Sequence, residues 1–231
     1  MSASLGSVAA VRVGRVQVYD WAGRLVPSGC AKEPVDGAIR IGELGLPGDE
    51  QADMVNHGGP DKAVLLYARH HYPSWRADGL DLPEGAFFEN LTLDAPATDE
   101  RSVRLGDTWR IGDATVQVSQ PRNPCYKLAR RWGVDDLVER VHRTGRSGWY
   151  VRVLEPGDVT AGSPVVLLDR VDGEPSIAEI SRVLHVDKRD DDGARRLLRS
   201  RLLLDNTRSK LERRLTARVA QVARAAAGPA E

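Results

Sequence analysis

The sequence predicts an α+β chain: a strand-rich domain with short inserted helices over residues 1–172, then a small three-helix domain over residues 173–231. Three observations lead there. Short alternating apolar segments such as Trp109/Ile111 and Val116/Val118 recur at close intervals. Gly106-Asp107 and Gly112-Asp113 separate them, and such dipeptides favour tight hairpin turns. Past Asp172-Gly173-Glu174-Pro175 the apolar period changes from that of a strand to that of a helix.

Along the chain, Val11/Val13 and Val16/Val18 are two alternating pairs whose phase slips at Gly14-Arg15, as at a bend or bulge. Ala63 to Tyr67 is a compact apolar strand. Val103/Leu105, Trp109/Ile111 and Val116/Val118 follow, with Trp149 to Leu154 and Val165 to Leu168 as two more. Many short strands with Gly/Asp turns point to a barrel or a sandwich. Helices are predicted near His70 to Ala77 and near Asp135 to Arg143, with Asp135 or Asp136 as N-cap. In the C-terminal part Ser176-Ile177-Ala178-Glu179 reads as a capping box, and Ile177, Ile180, Val183 and Leu184 form a stripe behind it. A second helix starts in Asp190-Asp191-Asp192 and carries Leu197, Leu198 and Leu202. A third starts near Asn206 with Leu211, Leu215 and Val219 on one face. The tail Ala225 to Glu231 is expected to fray.

The 231 residues are enough to bury a sizeable core, and the formal net charge is zero with 29% charged residues. A neutral chain has no overall pull toward nucleic acid or membrane surfaces. Gly193 to Arg224 is locally basic, with ten Lys/Arg against two acids. Cys30 and Cys125 are the two cysteines; neither lies in a C-x-x-C pair, and so sparse a count fits a reducing compartment and not a disulfide framework. Met1 to Ala10 has no charged start followed by an apolar core, and no apolar run is long enough to span a bilayer. A cytoplasmic protein without membrane partners is the expectation.

Chemistry concentrates at Gln120-Pro121-Arg122-Asn123-Pro124-Cys125-Tyr126-Lys127. The two prolines hold the segment extended, and Leu128, Ala129 and Trp132 then fit a short helix ending at Gly133. A thiol at that helix start meets the positive ends of the peptide dipoles, and Arg122 and Lys127 add full charge. All favour the thiolate, the form that attacks electrophiles or ligates metals. A buried structural cysteine is the plainer alternative. A polar loop precedes the Ala63 strand: Asp49 to Asp53, then Asn56-His57-Gly58-Gly59-Pro60-Asp61-Lys62. His57 with Asp53 and Asp61 invites a zinc reading, but no second His lies three or four residues away and His70-His71 are adjacent. Lys32 sits in a loop where it can neutralise a phosphate. The chain has no G-x-x-x-x-G-K-[ST], G-x-G-x-x-G or G-x-S-x-G motif. A papain-like Cys/His/Asn arrangement has no local signature either.

Together GLPGDEQAD, NHGGPDKAVLLY, HYPSW, GAFFENLT, SQPRNPCYKL and TGRSGWYVRVLEPGDV, running from about Val11 to Val219, resemble the MOSC family, named for the C-terminal domain of molybdenum cofactor sulfurases. The match is to the bacterial branch linked to hydroxylaminopurine resistance, which carries an additional C-terminal three-helix domain. The resemblance implies a MOSC-type β-barrel and a site for the molybdenum cofactor (molybdopterin). It implies Cys125 as catalytic residue and thiolate ligand to the metal, with Lys32, His57, Asn90, Arg122, Asn123 and Lys127 as cofactor-binding candidates. A soft thiolate suits a molybdenum centre held by dithiolene sulfurs. In one place the chain departs from the family: Phe88 precedes Glu89 where glycine is usual, and glycine permits a backbone conformation or close approach that Phe resists.

The reaction implied is reduction of N-hydroxylated compounds, such as hydroxylamino-purine base analogues, to amine and water. The chain carries no flavin, nicotinamide or iron–sulfur signature, so a separate reductase is the expected electron donor. The alternative is a non-catalytic carrier in which Cys125 bears a persulfide or holds the cofactor for delivery. Nucleic acid is not an expected partner: the basic helices have no aromatic platform and their arginines lie on several faces. Cys30 lies outside the motif and is expected to be silent.

Overall fold

Strand pairing closes on itself. In the computed structural model, which describes the backbone of residues 2–227 and side chains through residue 221, the first half of the chain supplies seven strands. These are β1 (Ala3–Val13), the hairpin β2 (Gln17–Trp21) and β3 (Arg24–Ser28), the short β4 (Glu33–Pro34) and β5 (Ile39–Ile41), then β6 (Val64–Ala68) and β7 (Leu91–Asp94). The second half supplies β8 (Thr108–Ile111), β9 (Ala114–Pro121), β10 (Trp149–Glu155), β11 (Gly157–Val159) and β12 (Pro164–Asp169). The order β12-β8-β9-β10-β6-β7-β1 is completed by a β1–β12 pairing, so the structure is a barrel and not a sandwich. Neighbours run antiparallel except β6 and β7, which are parallel. Closure leaves none of the seven with a free edge. The predicted Gly112-Asp113 turn links β8 to β9 through the Ile111–Ala114 pair.

β6 is buried along its whole length, and its continuous apolar sequence has a simple cause: both faces are covered. Val64, Leu66 and Ala68 enter the barrel core with Trp109, Trp149 and Val151. Tyr67 faces a second apolar cluster formed by α2 (His71–Ala77), α3 (Tyr126–Trp132) and α4 (Leu137–Thr144). There Tyr67 stacks on Phe87 with ring centres 4.4 Å apart, and Trp75 Nε1 donates to the Tyr67 hydroxyl at 2.7 Å.

Two expectations fail locally. Val103 and Leu105 are buried as predicted, but they lie in a turn whose one bridge joins Arg104 to Ser176. Gly106-Asp107 is accordingly no hairpin. The Asp107 carboxylate is fully buried, accepts from Arg104 N–H at 3.0 Å and takes both ends of the Arg170 guanidinium. The backbone around it pairs in two directions, Leu105 N–H to the Pro175 carbonyl at 3.0 Å and Gly106 N–H to the Val118 carbonyl at 2.9 Å, so no hairpin closes here.

The C-terminal helices form as their caps predict. Ser176 Oγ accepts from Glu179 N–H at 3.1 Å at the start of α5 (Ile177–Ser181), which continues into a π turn over Arg182–Val186. The Glu179 carboxylate turns instead to Arg196. Asp190 caps α6 (Asp191–Leu198), and α7 (Asp205–Ala227) follows. Ile177, Ile180, Val183, Leu197 and Leu211 belong to the same apolar cluster as the barrel interior, so one core runs across the Asp172-Gly173 turn. Val219 falls off the predicted stripe and is 64% exposed. The α7 backbone remains helical through Ala227, and the rest of the tail expected to fray, 228–231, lies outside the described residues.

Candidate functional site

β9 delivers the cysteine segment to the barrel rim. Its last residue is Pro121, and the chain stays extended through Pro124 before turning into α3. Cys125 occupies the N-cap position with φ −108° and ψ 168°, which sets its sulfur at the start of α3. Facing it is α1 (Met54–His57), a single turn capped by Asp53, whose carboxylate accepts from the Asn56 backbone and side-chain amides at 3.0 and 2.9 Å. This cap places His57 against the thiol. Burial pushes the Cys125 pKa up. The hydrogen bond with His57, the Arg122 charge and the Lys127 backbone N–H outweigh it, and the net shift is downward.

Around the sulfur lies a chamber of about 90 Å³ that widens into a groove of about 810 Å³. All seven residues singled out in the sequence line the chamber. Their roles differ sharply. Arg122 is 4% exposed; one amino group, Nη2, donates to the Phe87 carbonyl at 3.4 Å, while Nη1 is buried with no partner at all. A buried guanidinium nitrogen without an acceptor is costly unless a ligand supplies one. Lys32, by contrast, is already neutralised: its ammonium lies 2.8 Å from Asp49, whose side chain is 2% exposed. Burial lowers the Lys32 pKa while Asp49 opposes that shift. Asn90 is occupied by backbone, accepting from Leu65 N–H at 3.1 Å and donating to the Arg12 carbonyl at 3.2 Å. Asn123 Oδ1 lies 3.2 Å from His142 Nε2, and Lys127 donates to the Pro27 carbonyl at 2.8 Å, tying α3 to β3.

The zinc reading has no support: no group of three or more His, Cys, Asp or Glu placed to hold a metal occurs among the described residues. Two residues that sequence reasoning left aside belong to the chamber. Cys30, expected to stand apart, is buried in its wall. Tyr150 also lines it, and burial raises its pKa despite the nearby Arg122 charge, so its hydroxyl stays protonated. The signal for Tyr150 was present in strand alternation: Trp149 and Val151 face the barrel core, so Tyr150 faces the other side. Phe88 lines the chamber with φ +63°, the left-handed conformation that glycine adopts freely.

The closed barrel thus carries at its rim one chamber that holds a thiol shifted toward thiolate and a buried guanidinium nitrogen without a partner. The MOSC domain model matches residues 53–166. The chain is 39% identical over 219 residues to Protein YiiM of Escherichia coli (strain K12), covering 93% of this chain and 95% of that protein. It is 36% identical over 184 residues to a protein named Reductase from Gibberella moniliformis, covering 78% of this chain and 32% of that one. The crystal structure of YiiM from Geobacillus stearothermophilus superposes with a TM-score of 0.75 at 33% identity, covering 90% of this chain and 98% of that chain. The chain belongs to the MOSC family, in its YiiM-type branch. No helix among the described residues is long and apolar enough to cross a membrane.

Proposed function

We propose that this chain binds the molybdenum cofactor at the Cys125 chamber and reduces N-hydroxylated compounds, among them hydroxylamino-purine base analogues, with electrons from a separate reductase. The balance is R–NHOH plus two electrons and two protons to R–NH2 and water. When bound, the cofactor supplies the two-electron centre. The observation that carries the reading is the juxtaposition of a thiol shifted toward thiolate with the unpartnered, buried Nη1 of Arg122. Such a pair fits a group that offers both a soft metal and a phosphate.

The residues of the chain have separate tasks in this reading. Cys125 is the metal ligand and Arg122 the phosphate partner. Lys127 and Asn123 border both the chamber and the groove, where they meet an entering ligand. Lys32 and Asn90 act through position: one holds Asp49, the other fixes the backbone at Leu65 and Arg12. The Tyr150 hydroxyl and the His57 imidazole line the chamber, where they can hydrogen-bond and orient a substrate.

Molybdenum analysis of wild type and Cys125→Ala, both purified from a cofactor-producing host, tests the assignment. Near-stoichiometric metal in wild type and its loss from the variant is the expected result. Absence from both, with a loaded control enzyme from the same host, would sink it. Metal in wild type with no turnover of N-hydroxylated purines from any electron donor would instead identify a carrier.

A further inference from the structure

The larger groove outside the chamber has one wall from the β2–β3 hairpin and another from α7. Arg24, Lys127, Lys210 and Arg213 line it, and none of the four pairs with a carboxylate among the described residues. The groove has a single acidic residue, Asp53, which already serves the α1 cap. Further cations stand just outside the groove wall and act on its residues. Lys210 has its pKa lowered first by burial and then by Arg214 and Lys188. Burial lowers His185 to about 4, with Lys210 among the charges that add to the shift. Unpaired cations around an open groove with a single, already engaged acid mark a site of positive potential.

The groove is not purely ionic. Leu25, Tyr126 and Leu184 give it apolar wall, and Leu25 and Tyr126 are 71% and 57% exposed. Its volume of about 810 Å³ lies within the ~300–1,000 Å³ usual for small-molecule sites. Apolar surface beside unpaired cations matches an organic phosphate better than an inorganic ion. Arg122, with its unpartnered Nη1, lines the chamber and not the groove, so the α7 cations form a separate group available to a second anion.

We propose that this outer groove binds a nucleotide, its phosphate held by Arg24, Lys127, Lys210 and Arg213, so that the substrate presented to Cys125 is a nucleoside phosphate and not a free base. The substrate half of this assignment rests on the reductase reading above. The C-terminal helices thereby act as the phosphate wall of the site.

The test is a calorimetric titration of AMP and of adenosine into full-length protein that has been shown to hold its molybdenum. AMP is expected to bind at least about tenfold more tightly, in keeping with two or more charge-assisted contacts, and to weaken steeply with added salt. In Lys210→Gln/Arg213→Gln the AMP advantage should collapse. Both side chains are exposed on α7, and circular dichroism verifies the fold. Equal affinities for AMP and adenosine in the metal-loaded wild type would overturn the inference alone, since the cations would then serve the cofactor's own phosphate. An undiminished AMP preference in the double variant would overturn it too. The remaining arm identifies the source of the nucleotide. A higher kcat/KM for the 5′-phosphate of N6-hydroxyadenosine than for the nucleoside, reduced in the variant, supports a substrate site. Acid release of a nucleotide equimolar with molybdenum would assign the groove to an extension of the cofactor and overturn the substrate assignment.

Discussion

His57 and Cys125 share the wall of one chamber, which brings the turn before β6 to the start of α3, and the imidazole favours the thiolate. Burial alone would raise the thiol pKa, so the downward shift depends on His57 together with the Arg122 charge and the Lys127 amide. The rate of iodoacetamide alkylation of the metal-free protein should therefore reach its half-maximum below the pH of an ordinary cysteine. His57→Ala removes a favourable partner of the thiolate, so the midpoint must move up and alkylation at pH 7 must slow. A midpoint unmoved by the substitution would show that His57 does not activate the sulfur.

Lys32 illustrates how a cation that looks suited to phosphate can be spoken for. Its partner Asp49 also accepts from Gly14 N–H at 2.9 Å and from Gln51 Nε2 at 3.1 Å, and the carboxylate is almost fully buried. Lys32→Met leaves that charge without its cation, a change expected to cost about 3–5 kcal/mol in urea denaturation. Lys32→Met/Asp49→Asn keeps the acceptor for Gly14 and removes the stranded charge, so it should regain most of the loss. A single variant as stable as wild type would mean that the pair is solvated and Lys32 available to ligand.

Phe88 holds the backbone at φ +63°, so the loop keeps the conformation that the resemblance associates with glycine, at the expense of strain in a bulky residue. Phe88→Ala removes the ring and retains the strain. Phe88→Gly removes both. The glycine variant should exceed the alanine variant in stability by about 1 kcal/mol, read as a difference in denaturation midpoint. Equal midpoints would locate no strain at this residue.

Local chemistry was legible in the sequence wherever neighbours in the chain decide it. The Gly112-Asp113 hairpin, the Ser176 cap, the Asp190 cap and the Gly133 stop of α3 all depend on residues within a few positions. The cysteine segment was legible for the same reason. What alternation could not show is which strand meets which: the β1–β12 closure joins the two ends of the barrel, and β1 begins at Ala3 through small residues with weak apolar signal. The Lys32–Asp49 pair was not legible because Asp49 lies in a different loop. Val103 and Leu105 were misread because burial beneath α5 needs no strand, only the bridge from Arg104 to Ser176.

His142 on α4 and His185 in the π turn stack with ring centres 4.9 Å apart and planes 2° from parallel, linking the barrel's inserted helices to the C-terminal helices. Both are held neutral. Burial lowers His142 first, helped by Arg122, Lys188 and Lys210. Burial likewise lowers His185, to about 4, helped by His142, Lys210, Lys188 and Arg214. In the unfolded chain each returns to an ordinary value near ~6.5, so below that pH the unfolded state binds more protons. Stability must then fall as pH drops from about 6.5 and level off below about 4, with no contribution from the pair at pH 7 or above. Because His185 is only half-buried, solvent screening reduces the effect to about 1–2 kcal/mol. His185→Gln removes the larger titration. The difference in unfolding free energy between wild type and this variant should narrow or reverse by that amount between pH 7 and pH 4, after carboxylate titration common to both cancels. Parallel curves across this window would show that the stacked pair does not couple protonation to stability.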